Sequence, residues 1–231
     1  MEGMNDYSLG LTRDRLREWL AGADQIPTGG DIGFADDGET AAPPDSAGKI
    51  LRPAAVLILV VNRADAPYVL FTQRTAHLTD HAGQISFPGG RVEASDRDYA
   101  HTALRETEEE TGLPASNIEV LGAIPQYTTG TGYLITPVVG WVDGPVEYTP
   151  DPKEVAECFE VPFGFVTDVR NHRTESAMYK GRMRKYMAVP YGKRYIWGAT
   201  AGMLVSLTRV LASANGSTYE PPIFAAPDSG R

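Results

Sequence analysis

The chain has 231 residues, a formal net charge of −9 and one cysteine. That length suffices for a single sizeable core, and the acidic balance leaves no electrostatic footprint for nucleic acid or an anionic membrane surface. Cys158 alone permits no intrachain disulfide, which fits a reducing, cytoplasmic compartment, and it reads as a small packed residue rather than a nucleophile. The opening residues, Met1 to Asp6, lack the apolar stretch of a secretory signal. Thr12 to Ala21 then predicts a short amphipathic helix with Leu16, Trp19 and Leu20 on one face. Residues 22–48 turn rich in Gly, Asp and Pro and read as a loop or linker, so the first 48 residues form an N-terminal extension. A main domain is expected from 49 to 213. Ala54 to Val61 is too short to span a bilayer and reads as a buried strand. Strands are expected at 53–62, 68–73, near 117–125, at 133–142 and at 155–161. A helix is expected at 97–111 and another at 197–213, with a loose tail from 214 to 231.

The helix at 97–111 carries the chemistry. Ser95 and Asp98 form an S-x-x-D arrangement suited to an N-terminal capping box, and Gly112 followed by Pro114 makes a C-terminal exit. Ala100, Ala103, Leu104 and Thr107 recur at helical spacing as a stripe that can lie on a sheet. Glu106, Glu109 and Glu110 fall within about 100° of arc beside that stripe. Three carboxylates so close repel one another unless something positive sits among them. A hard dication such as Mg²⁺, bridging to substrate phosphates, is the chemistry that fits. Glu108 points away and reads as solvated surface. Upstream, Gly89-Gly90 permits positive φ and close approach of a ligand.

Gly89-Gly90 followed by Arg105-Glu106-Thr107-Glu108-Glu109-Glu110-Thr111-Gly112-Leu113 resembles the signature of the Nudix hydrolases, G-x5-E-x7-R-E-U-x-E-E-x-G-U. Two positions depart from it. The stretch from Gly90 to Arg105 is one residue longer, so Asp96 stands near the first acidic position, and Thr107 replaces an aliphatic residue. The block from Leu70 to Gly90 resembles the narrower pattern of the coenzyme A pyrophosphatase branch. Arg74, Gly83 and Phe87 to Gly90 match it, while Thr75 replaces Ser or Ala and Thr79 replaces an Arg. Thr cannot supply that planar, always-charged phosphate ligand; Arg173, Lys180 or Arg182 are candidates to replace it.

The resemblance implies an α/β/α sandwich with a mixed sheet and hydrolysis of a nucleoside diphosphate derivative. Mg²⁺ or Mn²⁺ would be held by Glu106, Glu109 and Glu110, with Glu106 or Glu109 acting on the attacking water. Arg74, His81, Gln84, Gly89 and Gly90 would meet substrate. The expected partner is a small-molecule nucleotide, with no nucleic acid and no membrane; a homodimer is compatible. With coenzyme A the products would be 3′,5′-ADP and 4′-phosphopantetheine. A Nudix enzyme for ADP-ribose or another nucleoside diphosphate-linked metabolite stays open, as does a non-catalytic nucleotide-sensing module. His77 and His81 are a weak metal pair without a third ligand. Tyr127 to Tyr133 suits either a mobile loop over ligand or an ordinary hairpin turn. Asp151 and Glu154 read first as surface charge and second as an extra acid for the cluster.

Overall fold

A computed structural model describes residues 7–31, 33–34, 40–41, 50–76, 83–179 and 182–220. In chain order the elements are α1 (Arg13–Leu20), β1 (Gly29–Gly30), β2 (Gly33–Phe34), β3 (Thr40–Ala41), β4 (Arg52–Asn62), β5 (Pro67–Arg74), β6 (Ile85–Ser86) and β7 (Gly89–Arg91). Then come α2 (Tyr99–Thr111), β8 (Glu119–Ala123), β9 (Tyr127–Thr128), β10 (Tyr133–Asp143), β11 (Val155–Pro162) and α3 (Phe163–Val166). The last elements are β12 (Arg173–Tyr179), β13 (Arg182–Tyr191), β14 (Arg194–Trp197) and α4 (Ala199–Ala214).

Strand β4 is the spine, and its sequence explains why. It is apolar without alternation because both of its faces are covered. Ala55, Leu57, Leu59 and Val61 pack in one cluster with Ala103 of α2. Ile58 and Val60 pack in the other with Leu16 of α1 and Leu204, Leu207 and Leu211 of α4. Helices therefore flank a mixed sheet on both sides, as an α/β/α sandwich. Along the main sheet the order is β1-β9-β10-β4-β5-β11, with β6 on β5, β7 on β4 and β8 on β10. β10 runs parallel to β4, from Tyr133 opposite Arg52 to Asp143 opposite Asn62, whereas β5 and β7 pair with β4 antiparallel. A separate antiparallel sheet, β12-β13-β14, was not anticipated from sequence. Among the described residues no helix is long and apolar enough to cross a membrane.

Three expectations change. The capping box does not form: Asp98 is itself the N-cap, accepting the His101 N–H at 2.7 Å, so α2 begins at Tyr99. The stretch at 22–48 is not simply a linker where it is described. Ala23 is buried, Gly29 and Gly30 pair with Tyr127 and Thr128, and Asp31 accepts from the Tyr127 O–H at 3.0 Å and the Gly130 N–H at 2.6 Å. The tail beyond Ala214 is tied down as far as Tyr219, whose hydroxyl lies 3.1 Å from His172 Nδ1. Of the two readings for Tyr127 to Tyr133, the hairpin turn is found: Tyr127 and Thr128 pair with Ile135 and Leu134.

Candidate active site

Helix α2 lies against β4 and β7, and its sequence sets which carboxylates turn inward. Thr107 and Thr111 are fully buried, each hydroxyl returning to the helix by donating at 2.6 Å to Ala103 O and Thr107 O. A threonine can therefore replace the aliphatic residue of the signature without leaving a polar atom unsatisfied. Glu110, one residue before Thr111, is carried into the same wall and is only 5% exposed. Its Oε2 has no hydrogen-bond partner among the described residues. Burial, then the neighbouring Glu106 charge, pushes its carboxyl up to about 8, opposed by Arg74 and by the Gly89 N–H. Burial also raises Glu106, opposed by Arg105. Glu109 is exposed, and so is Glu108, which accepts the Ala115 N–H at 3.0 Å instead of facing the cluster.

The two glycines are required by close approach. Gly89 has φ of +156°, and a Cβ there would lie 2.4 Å from Ala55 O. A Cβ on Gly90 would lie 2.3 Å from the Glu106 carboxylate. Only a bare backbone lets the α2 carboxylates rest on β7.

Arg105 organises what repulsion would scatter. Its Nη1 donates to Glu106 Oε1 at 3.0 Å and to Glu109 Oε2 at 3.2 Å. Its Nε and Nη2 grip the two oxygens of Asp96 at 3.1 Å each, a bidentate pair with fixed orientation. The Asp96 side chain is fully enclosed. It also accepts the Thr102 hydroxyl at 2.8 Å and the Glu93 N–H at 2.9 Å, and lies 2.9 Å from His101 Nδ1. The Arg105 guanidinium, first among these, holds the Asp96 carboxyl far below the usual carboxylate range. With both oxygens committed, Asp96 anchors Arg105 and is not a metal ligand.

A fourth carboxylate joins from outside the helix. The Thr149 N–H donates to Thr111 O at 2.7 Å and the Asp151 N–H to Glu110 O at 3.2 Å, fastening the segment before β11 to the end of α2. The Thr75 N–H then donates to Glu154 O at 2.9 Å. Glu154 is thereby near enough that its charge raises both Glu106 and Glu110. Its sequence signal was only an acid after a Pro-rich turn; tertiary anchoring supplies the rest. Asp151 instead closes a local turn by accepting the Lys153 N–H at 2.9 Å.

Arg74 ends β5 beside Glu110, with its Nε buried and without a hydrogen-bond partner among the described residues. Gln84 lies on the adjoining ladder, its carbonyl accepting the Arg74 N–H at 2.9 Å. The Cys158 thiol is pushed up to about 11, by burial first and then by Glu110, which disables it as a nucleophile at neutral pH. His77, Thr79 and His81 lie outside the described residues, as does Lys180. Arg173 begins β12 and Arg182 begins β13.

Among the described residues no three His, Cys, Asp or Glu side chains are already drawn together as a metal cage. A hard dication such as Mg²⁺ does not need one, because it takes one or two protein carboxylates and fills its shell with water and substrate phosphate oxygens. The unpartnered, buried Glu110 oxygen beside the Glu106 carboxylate has the donor chemistry of that arrangement. These residues fit a divalent cation.

A family model described as the NUDIX domain matches residues 51–177. The uncharacterized Nudix hydrolase NudL of Escherichia coli strain SMS-3-5 is 38% identical over 156 residues, covering 68% of this chain and 81% of its own. NudL of Citrobacter koseri is 39% identical over 156 residues with the same coverage, 68% and 81%. Among solved structures, a Nudix hydrolase from M. smegmatis, RenU, aligns with a TM-score of 0.43 and 24% identity over 51% of this chain and 74% of that one. The NUDIX domain of Shewanella oneidensis NrtR, solved with ADP ribose, aligns with a TM-score of 0.41 and 21% identity over 52% and 78%. With the family model spanning more than half of the chain and the carboxylates of α2 set against Gly89-Gly90, this chain belongs to the Nudix hydrolase family.

Proposed function

We propose that this Nudix hydrolase cleaves the diphosphate bond of coenzyme A, with a divalent cation, to give 3′,5′-ADP and 4′-phosphopantetheine. The observation that carries the hydrolytic part is Glu110, buried with an unpartnered oxygen beside Glu106. Support for coenzyme A comes from the block Leu70 to Gly90, in which Arg74, Gly83 and Phe87 to Gly90 match the branch pattern.

Glu106 and Glu110 would hold Mg²⁺ or Mn²⁺, with Glu109 available to complete the set. When bound, the cation neutralises charge on the transferring phosphoryl group and lowers the pKa of water. The protein's own residues do the rest. Arg105, fixed by Asp96, keeps Glu106 and Glu109 oriented. Gly90 lets the Glu106 carboxylate rest against β7, and Gly89 lets β7 lie close against β4. Glu109, exposed beside the cluster, and Glu154, on the segment before β11, are the groups able to take a proton from the attacking water, since Glu106 and Glu110 are occupied as ligands.

Thr79 favours a second reading, because a substrate without a 3′-phosphate, such as ADP-ribose, needs no arginine there. A panel of coenzyme A, dephospho-coenzyme A and ADP-ribose with Mg²⁺ and with Mn²⁺, products weighed by mass spectrometry, separates the two. Coenzyme A ignored while ADP-ribose is cleaved overturns the first reading. No metal-dependent cleavage of any diphosphate would leave a binding module.

A further inference from the structure

On the sheet face opposite the carboxylates there is an open cleft of about 390 Å³, lined by Gln73, Ile85, Lys193, Arg194, Tyr195 and Trp197. Its size falls within the range of small-molecule sites. Gln73 precedes Arg74 on β5, and neighbouring side chains of a strand project to opposite faces. Arg74 faces Glu110, so Gln73 opens the other side at the same end of the sheet. The cleft and the hydrolytic centre share one short path of chain. Ile85 of β6 pairs with Gln73, and the chain from Ile85 to Gly90 of β7 spans at most about 17 Å at full extension.

The walls are aromatic and held in place. Tyr195 and Trp197 are each 40% exposed, large rings that core packing would normally cover. Trp197 stands edge-on to Tyr186 with centroids 5.5 Å apart. The Tyr195 hydroxyl donates to Glu175 at 2.5 Å and contacts the Tyr186 hydroxyl at 3.2 Å. Arg194 lies 3.9 Å over the Phe159 ring and is fixed by Gln73 at 3.0 Å and Glu157 at 2.5 Å. It braces the cleft, which leaves Lys193, on the turn before it, to set the charge at the rim. Rigid exposed rings beside a cation suit a flat ring that carries a phosphate. β13 and β14 lie beyond residues 51–177, which match the Nudix model.

We propose that this cleft binds the nucleotide end of the substrate, with the base against Trp197 and Tyr195 and a phosphate beside Lys193. Identifying the occupant as substrate rests on the hydrolase reading; the cleft's affinity for a nucleotide does not. The first measurement is calorimetric titration of the whole protein with 5′-AMP, adenosine and inorganic phosphate in chelator, where no turnover occurs. AMP should bind, and Trp197→Ala should weaken it about tenfold, the effect of removing one stacking ring. Lys193→Ala, on an exposed turn where folding is not at stake, should weaken AMP several-fold and leave adenosine unchanged. AMP should also inhibit turnover competitively. No binding of AMP at millimolar concentration, equal binding by both variants, or non-competitive inhibition each overturns the proposal. Metal-dependent turnover without AMP binding would remove the cleft and spare the hydrolase. AMP binding lost in the variants, with no diphosphate turned over, would do the reverse.

Discussion

Glu110→Gln should make the metal-free protein more stable at alkaline pH while abolishing its response to Mg²⁺. The Glu110 carboxyl rises from 4.5 to about 8 on folding, chiefly because it is buried. Between those values the folded state holds a proton that the unfolded state has released, so stability falls as pH rises through the window and levels off above about 8. At about 1.4 kcal/mol per pH unit the full penalty is about 4–5 kcal/mol. Glutamine keeps the shape and an oxygen for the Gly89 N–H, but its buried amide N–H₂ costs about 1–3 kcal/mol where no acceptor is at hand. The net gain is about 1–4 kcal/mol, or about 2–16 °C in Tm for a chain of this size. Thermal melts at pH 5.5 and 8.5, in chelator and in excess Mg²⁺, provide the assay. Wild type should lose Tm from pH 5.5 to 8.5 in chelator and recover it with Mg²⁺; the variant should show a smaller pH loss and little metal response. A variant less stable than wild type at pH 8.5 in chelator, or one that Mg²⁺ stabilises equally, would refute the account of Glu110.

Glu106→Gln should preserve folding and cut turnover by about 10²–10⁴, whereas Glu108→Gln, on the far side of the helix, should leave kcat within about twofold; comparable losses in steady-state assays would mean that the wrong carboxylates face the site. Asp96→Asn should lower kcat by about 10–100-fold, the usual cost of losing a group that orients ligands. Because the Asp96 pKa is depressed, its stabilising contribution is full above the unfolded value near 3.8 and fades as pH falls from there toward the folded value, so acid denaturation followed by circular dichroism should set in at lower pH in wild type than in the variant. Arg74→Ala should reduce turnover of coenzyme A and dephospho-coenzyme A together, since Arg74 opposes the Glu110 charge; a loss confined to coenzyme A would put Arg74 on the 3′-phosphate. Thr79→Arg should raise kcat/KM for coenzyme A by about 10–100-fold if it restores a charge-assisted phosphate contact worth about 1.5–3 kcal/mol; no change would separate this chain from the coenzyme A branch.

The α2 carboxylates were legible in sequence because their chemistry and spacing are local. One helix fixes the mutual placement of Glu106, Glu109 and Glu110, and two adjacent glycines mark the backbone beneath them. β4 and β10 were legible because long apolar runs have few other fates in a chain with no membrane-length segment. Glu154 was not, since its place depends on the Thr149 and Asp151 N–H groups binding the end of α2 and on the Thr75 N–H reaching across from β5. No sequence window contains those contacts. The sheet β12-β14 was hidden for a different reason: Arg173 to Tyr179 and Arg182 to Lys185 are rich in charged and hydroxyl residues, and their pattern matches a solvated loop as well as a strand. Residues 22–31 misled through composition, because Gly29-Gly30 can pair with β9 by backbone alone and needs no apolar signal.

The departure at Asp96 shows how spacing and side-chain length trade against each other. The path from the first acidic position to Arg105 is one residue longer than in the signature, and Asp is one methylene shorter than Glu. The Asp96 N–H closes a turn on Glu93 O at 3.0 Å, and Asp98 starts the helix two residues later. The extra residue is absorbed before α2, which lets the shorter carboxylate sit directly under the Arg105 fork. Lengthening that side chain should therefore do harm: Asp96→Glu would push a methylene into a fully enclosed site, where overpacking costs about 1–3 kcal/mol. Deleting one residue between Asp96 and Asp98 in the same variant should restore the fit. Recovery of kcat in the double change, with Asp96→Glu alone impaired, is the expected result; an Asp96→Glu variant as active as wild type would mean that length and spacing are not coupled here.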